Sequence, residues 1–115
     1  MSWDIKERQA GAVTVLEVSG RMTLTEGSDP LDTKLQDLIA AGRRAVLLDC
    51  SRVSGIDSRG LKALVRGLIS MRKRGGGLKL LRPSDRVRQL LEITRLSTVI
   101  EMYDDEAQGL QSFSS

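Results

Sequence analysis

The amino-acid sequence predicts an α/β domain with a mostly parallel β-sheet of about five strands and about four helices. A hairpin opens the chain, and strand-like and helix-like segments then alternate four times with short connections, which is typical of a parallel sheet with crossover helices. The apolar run AVLLDC at 45–50 shows no alternation, as expected of a strand covered on both faces. The length of 115 residues fits a single domain, which we assign to residues 1–115.

Two segments at the start of the chain predict the hairpin. WDIKERQ at 3–9 alternates weakly between apolar and polar side chains, and AVTVLEVSG at 12–20 is rich in β-branched residues. A turn at 10–11 is expected to join these strands. Residues 21–30 are predicted as a loop.

A helix is predicted after this loop. Pro30 suits its first turn, because proline lacks the N–H that would be unpaired there, and Ser28 or Asp29 is the expected capping residue. Gly42 ends the helix. Its apolar side chains fall on one face, namely those of Leu31, Leu35, Leu38 and Ile39.

The second half of the chain continues the alternation. The helix after AVLLDC ends in RKRGGG, with basic residues in the last turn and glycine beyond it. LKLLR at 78–82 predicts a strand, PSDRVRQLLEITR a short helix, STVIEMY at 97–103 the last strand, and DDEAQGLQSF a closing helix that frays after Gly109. The apolar face of the long helix is predicted to hold Leu61, Leu64, Val65, Leu68 and Ile69.

Composition excludes several classes of function. The chain has no histidine, so a Ser–His–Asp or Cys–His mechanism is impossible and a transition-metal site is disfavoured; we expect no cofactor and no metal. No apolar run approaches the ~20 residues of a membrane span, and the start of the chain does not resemble a signal peptide. The one cysteine, Cys50, is expected to be a buried thiol in a reducing compartment. We therefore expect a cytoplasmic protein without membrane insertion.

The charges are unevenly distributed. Residues 59–95 carry eleven Lys or Arg and only two Asp or Glu. A nucleic-acid surface is one interpretation, but this block has no aromatic residue on which a base could stack. A solvated face, or a docking face for an acidic protein, is favoured, and no direct nucleic-acid partner is predicted.

The stretch VSGIDSRGLKALV, residues 53–65, contains the most reactive group of side chains. Ser58 stands at the expected start of a helix, where a side-chain oxygen accepts a hydrogen bond from an unpaired backbone N–H. Asp57 can fill the same role. An exposed hydroxyl at this place can also carry a phosphate, whose charge faces the positive end of the helix dipole. Local physics favours capping by Ser58 and leaves modification open as a compatible role.

Two neighbours of Ser58 are unusual at a helix start. Arg59 places a cation against the helix dipole, so it either extends into solvent or pairs with an anion such as a partner carboxylate or a phosphate on Ser58. Gly60 allows another backbone to approach closely, which would relieve crowding between the helix start and the sheet.

The stretch VLLDCSRVSGIDSRGLKALV resembles the central motif of the STAS domain, the fold of bacterial anti-sigma factor antagonists. In that family an apolar strand ending in Asp or Asn leads to an Asp-Ser-Ser/Thr-Gly-Leu turn. VSGRM resembles the family's early Gly-Arg/Glu-Leu turn, and the segment from GGGLKLLRP to QSF resembles its second half. The resemblance covers residues 13–113.

The resemblance implies a phosphorylation-controlled binding module that is not an enzyme. It makes Ser58 the phosphoacceptor. The implied partners are an anti-sigma factor with serine kinase activity, whose capture frees a sigma factor for transcription, and a serine phosphatase. Arg59 departs from the family, which usually has a second Ser or Thr there. The partner-binding surface is expected at Asp57, Ser58, Arg59, Gly60 and Lys62.

A second function within the same family stays open. STAS domains also serve as structural subunits of larger assemblies, such as lipid-transport ATPase complexes or stressosome-like scaffolds. In such a subunit the same helix face would dock permanently, and Ser58 would only cap the helix. Genomic neighbours would distinguish the two functions, since one requires an anti-sigma gene and the other transporter genes.

Overall fold

The computed structural model describes residues 3–23 and 29–114. This part of the chain forms five strands, four α-helices and one short 3₁₀ helix, in an order that alternates after the hairpin as predicted. The elements are β1 (Trp3–Ala10), β2 (Val13–Met22), α1 (Pro30–Ala40), β3 (Ala45–Ile56), α2 (Ser58–Lys73), β4 (Gly77–Leu81), α3 (Asp85–Ile93), the 3₁₀ helix (Leu96–Thr98), β5 (Met102–Tyr103) and α4 (Glu106–Gln111).

The five strands form one sheet in the order β1-β2-β3-β4-β5. β1 and β2 pair antiparallel as a hairpin, and the other three pairs are parallel. The predicted α/β class and mostly parallel sheet are therefore confirmed. The carboxyl end of β3 leads through Asp57 directly into α2. Because β3 is parallel to both neighbours, the start of α2 lies at the edge where the carboxyl ends of these strands meet.

Three helices cover one face of the sheet. One residue from each of α1, α2 and α3, namely Leu31, Leu64 and Val87, is fully buried in a cluster that includes Leu16 and Leu48 of the sheet. Successive side chains of a strand point to opposite faces. The other face is covered in part by α4 and the residues after it: Leu110 of α4 and Phe113, beyond its end, pack against a smaller cluster of Val13, Val15, Leu47 and Leu81.

The turn of the hairpin and the end of its second strand differ from the predicted positions by one to two residues. The turn lies at 11–12 and not at 10–11, with Gly11 at φ +65°. β2 continues to Met22, and β3 continues to Ile56, because the two strands stay paired up to these last residues. The predicted loop therefore begins two residues later, after two register shifts in the β2–β3 pair.

The first helix confirms its predicted start and end. Asp29 caps it by accepting a hydrogen bond from the Asp32 backbone N–H at 2.9 Å, while the alternative cap, Ser28, lies outside the described residues. Pro30 is the first helical residue, and Gly42 follows the helix with φ +85°. The predicted face is buried at Leu31, Leu35 and Leu38.

The apolar face predicted for α2 is partly wrong. Leu64 and Leu68 are buried, but Ile69 is 48% exposed and Leu61 and Val65 are only half-buried. The remaining buried positions belong to three small residues, Gly60, Ala63 and Gly67, and to Met71. The side of α2 that faces the sheet is therefore centred closer to its glycines than the spacing of the large apolar residues predicts.

The last strand was predicted too long. Residues 96–98 form the 3₁₀ helix, and β5 is limited to 102–103. The Thr98 hydroxyl donates to the Arg95 carbonyl at 2.8 Å, and the Ile100 N–H donates to the Leu96 carbonyl at 3.0 Å. These local bonds compete with sheet pairing. The closing helix, in contrast, continues past Gly109, which is buried against Leu47.

Candidate partner-binding site at the start of helix α2

Asp57, and not Ser58, caps helix α2. Its Oδ1 atom accepts hydrogen bonds from the backbone N–H of Arg59 at 2.9 Å and of Gly60 at 3.0 Å, while its own backbone is extended. These two bonds satisfy donors that the helix leaves unpaired at its start. The capping role favoured for Ser58 is therefore wrong by one position, because Asp57 accepts the hydrogen bonds that cap the start of the helix.

Ser58 is the first helical residue of α2, and it is exposed. A side chain at this position lies beside the positive end of the helix dipole. A phosphate on this hydroxyl would place its negative charge next to that end without entering the core. The geometry thus permits a modification that changes the surface and leaves the packing intact.

Gly60 brings the start of α2 against the end of β2. It is buried, and a Cβ built on it would overlap the main-chain carbonyl oxygen of Met22. The close backbone approach expected of this glycine is thus confirmed. Gly60 presents no side chain to a partner, and it acts by holding the Asp57–Ser58 turn against the sheet.

The surface of α2 is strongly basic. The helix contains five cationic residues and no acidic one. Arg66 forms an ion pair with Asp29 at the start of α1, at 2.8 Å between Nη1 and Oδ2. The other four basic residues of the helix are exposed, namely Arg59, Lys62, Arg72 and Lys73.

The structure brings four of the five predicted binding residues to one exposed surface. Asp57, Ser58, Arg59 and Lys62 are exposed at the first turns of α2, whereas Gly60 lies beneath them. The predicted binding surface did not include three apolar residues on the outward side of α2, namely Leu61, Val65 and Ile69. Their exposure follows from the glycines opposite them, so the glycine spacing of α2 is the signal that could have identified them.

A second acidic residue, Asp49, is remote from this chemistry. It accepts hydrogen bonds from the Ser51 backbone N–H at 3.0 Å and from Arg82 at 3.1 Å. Burial raises the pKa of Asp49, but these bonds outweigh it and leave the pKa below its usual value. Asp49 and Asp57 thus both use their carboxylates to accept hydrogen bonds from nearby backbone N–H groups.

Cys50 is fully buried among the core side chains, and burial raises the pKa of its thiol. The expectation of a buried thiol is confirmed. A protonated, enclosed thiol is a poor nucleophile.

Among the described residues, no helix combines the length and the apolar character that a bilayer crossing requires.

A five-stranded mixed sheet with three helices on one face, and a capped serine turn at the end of the central strand, defines the STAS class of domains. The family model described as "Mlab, STAS domain" matches residues 5–102. The chain therefore belongs to the STAS domain family.

Individual relatives agree with this family. The chain is similar to a proposed anti-sigma factor antagonist from Thermotoga neapolitana, with 33% identity over 75 residues, which cover 65% of this chain and 66% of the relative. The match thus spans just under two thirds of that protein.

Solved structures share the fold. The crystal structure of an anti-sigma factor antagonist from Mycobacterium paratuberculosis superposes with a TM-score of 0.83 at 21% identity, covering 99% of this chain and 96% of that one. The Bacillus cell fate determinant SpoIIAA in its phosphorylated form gives a TM-score of 0.72 at 16% identity, covering 95% and 98%.

Proposed function

We propose that this protein is an anti-sigma factor antagonist whose binding is controlled by phosphorylation of Ser58. In the unmodified state it binds an anti-sigma factor that has serine kinase activity, and so frees a sigma factor for transcription. A phosphate on Ser58 blocks this docking, and a serine phosphatase restores it. The protein is then a substrate and a binding module in the cytoplasm, and it has no catalytic activity of its own.

The exposed position of Ser58 carries this proposal. Because Asp57 caps the helix, the Ser58 hydroxyl is not needed for folding and stands in solvent at the tip of the turn. A kinase can reach it without unfolding the domain. The helix dipole stabilises the added charge by a few tenths of a kcal/mol up to about 1 kcal/mol.

The same phosphate would oppose partner binding. A phosphoserine carries about −1.5 to −2 charges at neutral pH. When a partner packs against the turn, this charge loses its water, and an unpaired charge buried in an interface costs several kcal/mol. Phosphorylation of Ser58 thus leaves the stability of the fold nearly unchanged but weakens the binding of the partner.

Arg59 is placed to interact with the modified turn. Its backbone N–H bonds Asp57, and its side chain is exposed next to Ser58 in the sequence. A guanidinium beside a phosphate forms charge-assisted hydrogen bonds. We propose that Arg59 contacts the partner in the unmodified protein and stabilises the phosphate in the modified one.

A structural subunit of a larger assembly is the second candidate. The residue that favours it is Arg59, which replaces the second Ser or Thr usual in the family motif. In that role the basic α2 surface would stay docked in a lipid-transport ATPase complex or a stressosome-like scaffold. Phosphorylation of Ser58 would then be absent.

The deciding experiment exposes the purified protein and its Ser58→Ala variant to native cell extract with ATP. Mass spectrometry of the recovered proteins is expected to show one phosphate at Ser58 of the wild type and none on the variant. A pull-down with the Ser58→Ala and Ser58→Asp proteins then identifies the partner. A partner retained by the Ala form and lost by the Asp form supports the switch. Absence of phosphate at Ser58, with equal retention of transport or scaffold subunits by both forms, supports the second candidate.

A further inference from the structure

An apolar strip lies on the outward face of α2, beyond the Asp57–Ser58 turn. We define the α2 strip as Leu61, Val65 and Ile69, which are four residues apart and therefore adjacent on one side of the helix. Ile69 is 48% exposed and Val65 is half-buried, while Leu61, also half-buried, packs on one side against the core. Together with Lys62 and Arg66 these side chains line one shallow surface depression. Apolar side chains grouped in this way are unusual on a surface unless they bind something.

The strip is continuous with the proposed modification site. Ser58, Val65 and Ile69 are related by seven and eleven residues, which places them on the same side of an α-helix. The distance along the helix from residue 58 to residue 69 is about 16 Å, or three turns, at 1.5 Å per residue. A partner that packs along the strip would thus reach the turn at its end.

The charged side chains of helix α2 itself are all positive. α2 contains Arg59, Lys62, Arg66, Arg72 and Lys73 and no acidic residue. Arg66 forms an ion pair with Asp29, just before α1. Arg72 donates to the Val99 carbonyl at 3.0 Å and lies within electrostatic reach of the Glu101 carboxylate.

We infer that the α2 strip is the docking site for an amphipathic helix of the partner protein, about three turns long, with apolar side chains at i, i+3/i+4 and i+7 and with acidic residues on both flanks. This inference rests on the proposed function and names the chemistry of its partner. The apolar residues of the partner helix fill the depression between Leu61 and Ile69. Its acidic flanks meet Lys62 and the other cations of α2.

Two other occupants fit the surface less well. A second copy of this chain would bring α2 against α2, and two helices with five cations each and no acidic residue repel one another. An anionic membrane would attract the charges, but the strip has no aromatic residue and only three apolar side chains, which is little area to insert.

The inferred helix also explains how one phosphate could control docking. A phosphate on Ser58 would stand at the end of the strip, on the side that faces the acidic partner. Its charge would repel the acidic flank and would partly neutralise the nearby cations of α2. The effect is expected to weaken in high salt, because exposed charges are screened within about 10 Å at 0.1 M.

The test uses synthetic peptides and therefore needs neither kinase nor natural partner. Three 15-residue peptides are compared. Two are helical and have leucines at the same positions, one with glutamates and the other with lysines on both flanks. The third has the amino-acid composition of the Glu-flanked peptide in shuffled order. Each is titrated into the ¹⁵N-labelled protein, and backbone amide shifts are recorded at low and high salt. We expect the Glu-flanked peptide alone to shift the amides of residues 58–73, with an affinity that falls as salt rises.

Matched variants locate the binding. Ile69→Glu is expected to weaken the Glu-flanked peptide at least about tenfold, since it places a carboxylate in the apolar contact. Ile93→Glu is the control, because Ile93 is 70% exposed but lies on α3. Lys62→Glu should weaken binding as well, whereas Arg86→Glu, an exposed cation of α3, should not. Circular dichroism melting of each variant verifies that it folds.

Several results would overturn the inference. These are equal shifts with the Lys-flanked peptide, equal losses in Ile69→Glu and Ile93→Glu, or no binding of the Glu-flanked peptide. Sedimentation with phosphatidylglycerol vesicles that depends on Ile69 would instead make the strip a membrane site. Failure of Ser58 phosphorylation in cell extract would refute the switch but leave the peptide result unchanged, so the two failures are distinguishable.

Discussion

The backbone of Gly60 lies against the carbonyl group of Met22, so closely that a single added methyl group would overlap the oxygen. This contact joins the first turn of α2 to the last residue of β2. It fixes the position of the Asp57–Ser58 turn relative to the sheet. The obstacle is main chain, which cannot move without disturbing the β2–β3 pair.

We expect Gly60→Ala to be strongly destabilising, because overpacking against backbone costs about 1–3 kcal/mol or more. Gly67→Ala is the matched control on the same helix. There the added Cβ would lie 2.5 Å from Cδ1 of Leu35, the end of a flexible side chain, and alanine is also the better helix former. Urea unfolding of both variants measures the difference. Equal losses would show that the Met22 contact can relax.

Replacing Asp57 with alanine should lower the free energy of unfolding by about 0.5–2 kcal/mol, the usual effect of losing a cap. Its carboxylate holds the N–H groups of Arg59 and Gly60. Ser58→Ala is the control and should stay within about 0.5 kcal/mol of the wild type, as exposed positions commonly do. Thermal unfolding of the two variants tests this, and a larger loss in Ser58→Ala would return the capping role to the serine.

Ser58→Asp should fold as stably as the wild type but bind the partner less tightly. A carboxylate in the first turn suits the helix dipole, whereas in the complex the same charge would be buried without a counterion. Calorimetric titration with the partner recovered from the pull-down measures the affinity, and chemical denaturation measures the stability. Equal affinity of the Asp and Ser forms would contradict control by charge.

Arg59 should lower the second pKa of a phosphate on Ser58, because a neighbouring cation favours the more highly charged form. The measurement is a ³¹P NMR titration of the phosphorylated wild type and phosphorylated Arg59→Ser at low salt. We expect a higher pKa in the Ser variant and a smaller difference at high salt. Superimposed titration curves would mean that the guanidinium does not contact the phosphate.

Acid should destabilise the fold in part through Glu106. Hydrogen bonds from the Arg8 guanidinium hold the pKa of Glu106 below its usual range. A lowered folded-state pKa gives stability that is present above the unfolded pKa and is lost as the pH falls through the folded pKa. Glu106→Gln should therefore cost about 0.5–1 kcal/mol near pH 7, because the pair is partly exposed.

The pH profile supplies the control for that prediction. The stability curves of wild type and Glu106→Gln are expected to converge in acid, below the usual pKa of a glutamate, as the wild-type carboxylate becomes protonated. Glu92→Gln, a change at an exposed residue of α3, should give a curve parallel to that of the wild type. A gap between wild type and Glu106→Gln that stays constant over the whole acid range in which the domain is folded would contradict the ion pair.

The strand–helix alternation and the burial of the central strand could be predicted from sequence, because both depend on the spacing of apolar residues. The orientation of α2 could not. Its buried face is set by Gly60 and Gly67, which permit close contact with Met22 and Leu35, and such contacts depend on neighbours distant in the chain. The last strand is shorter than predicted for a different reason, because the Thr98 hydroxyl donates a hydrogen bond to the Arg95 carbonyl within a local turn.

The residues of the candidate site could be predicted from the sequence, but the hydrogen bonds among them could not. The sequence placed Asp57, Ser58 and Arg59 together at a helix start, and the structure confirms that position. It could not decide which oxygen caps the helix, because Asp and Ser are almost equally good caps and differ here by one residue. That choice depends on where the strand ends, which is set by the pairing of Met22 with Ile56.

Among the described strands, β1 lies at one edge of the sheet and pairs on one side only, with β2. An open edge eight residues long could template the addition of strands from other molecules and so start aggregation. Charged residues occupy four of its positions: Asp4, Lys6, Glu7 and Arg8. A foreign strand would have to bring its own side chains against these charges, and the opposite edge, β5, offers only two residues. Growth of the sheet from one molecule to the next is thus hindered at both of its ends.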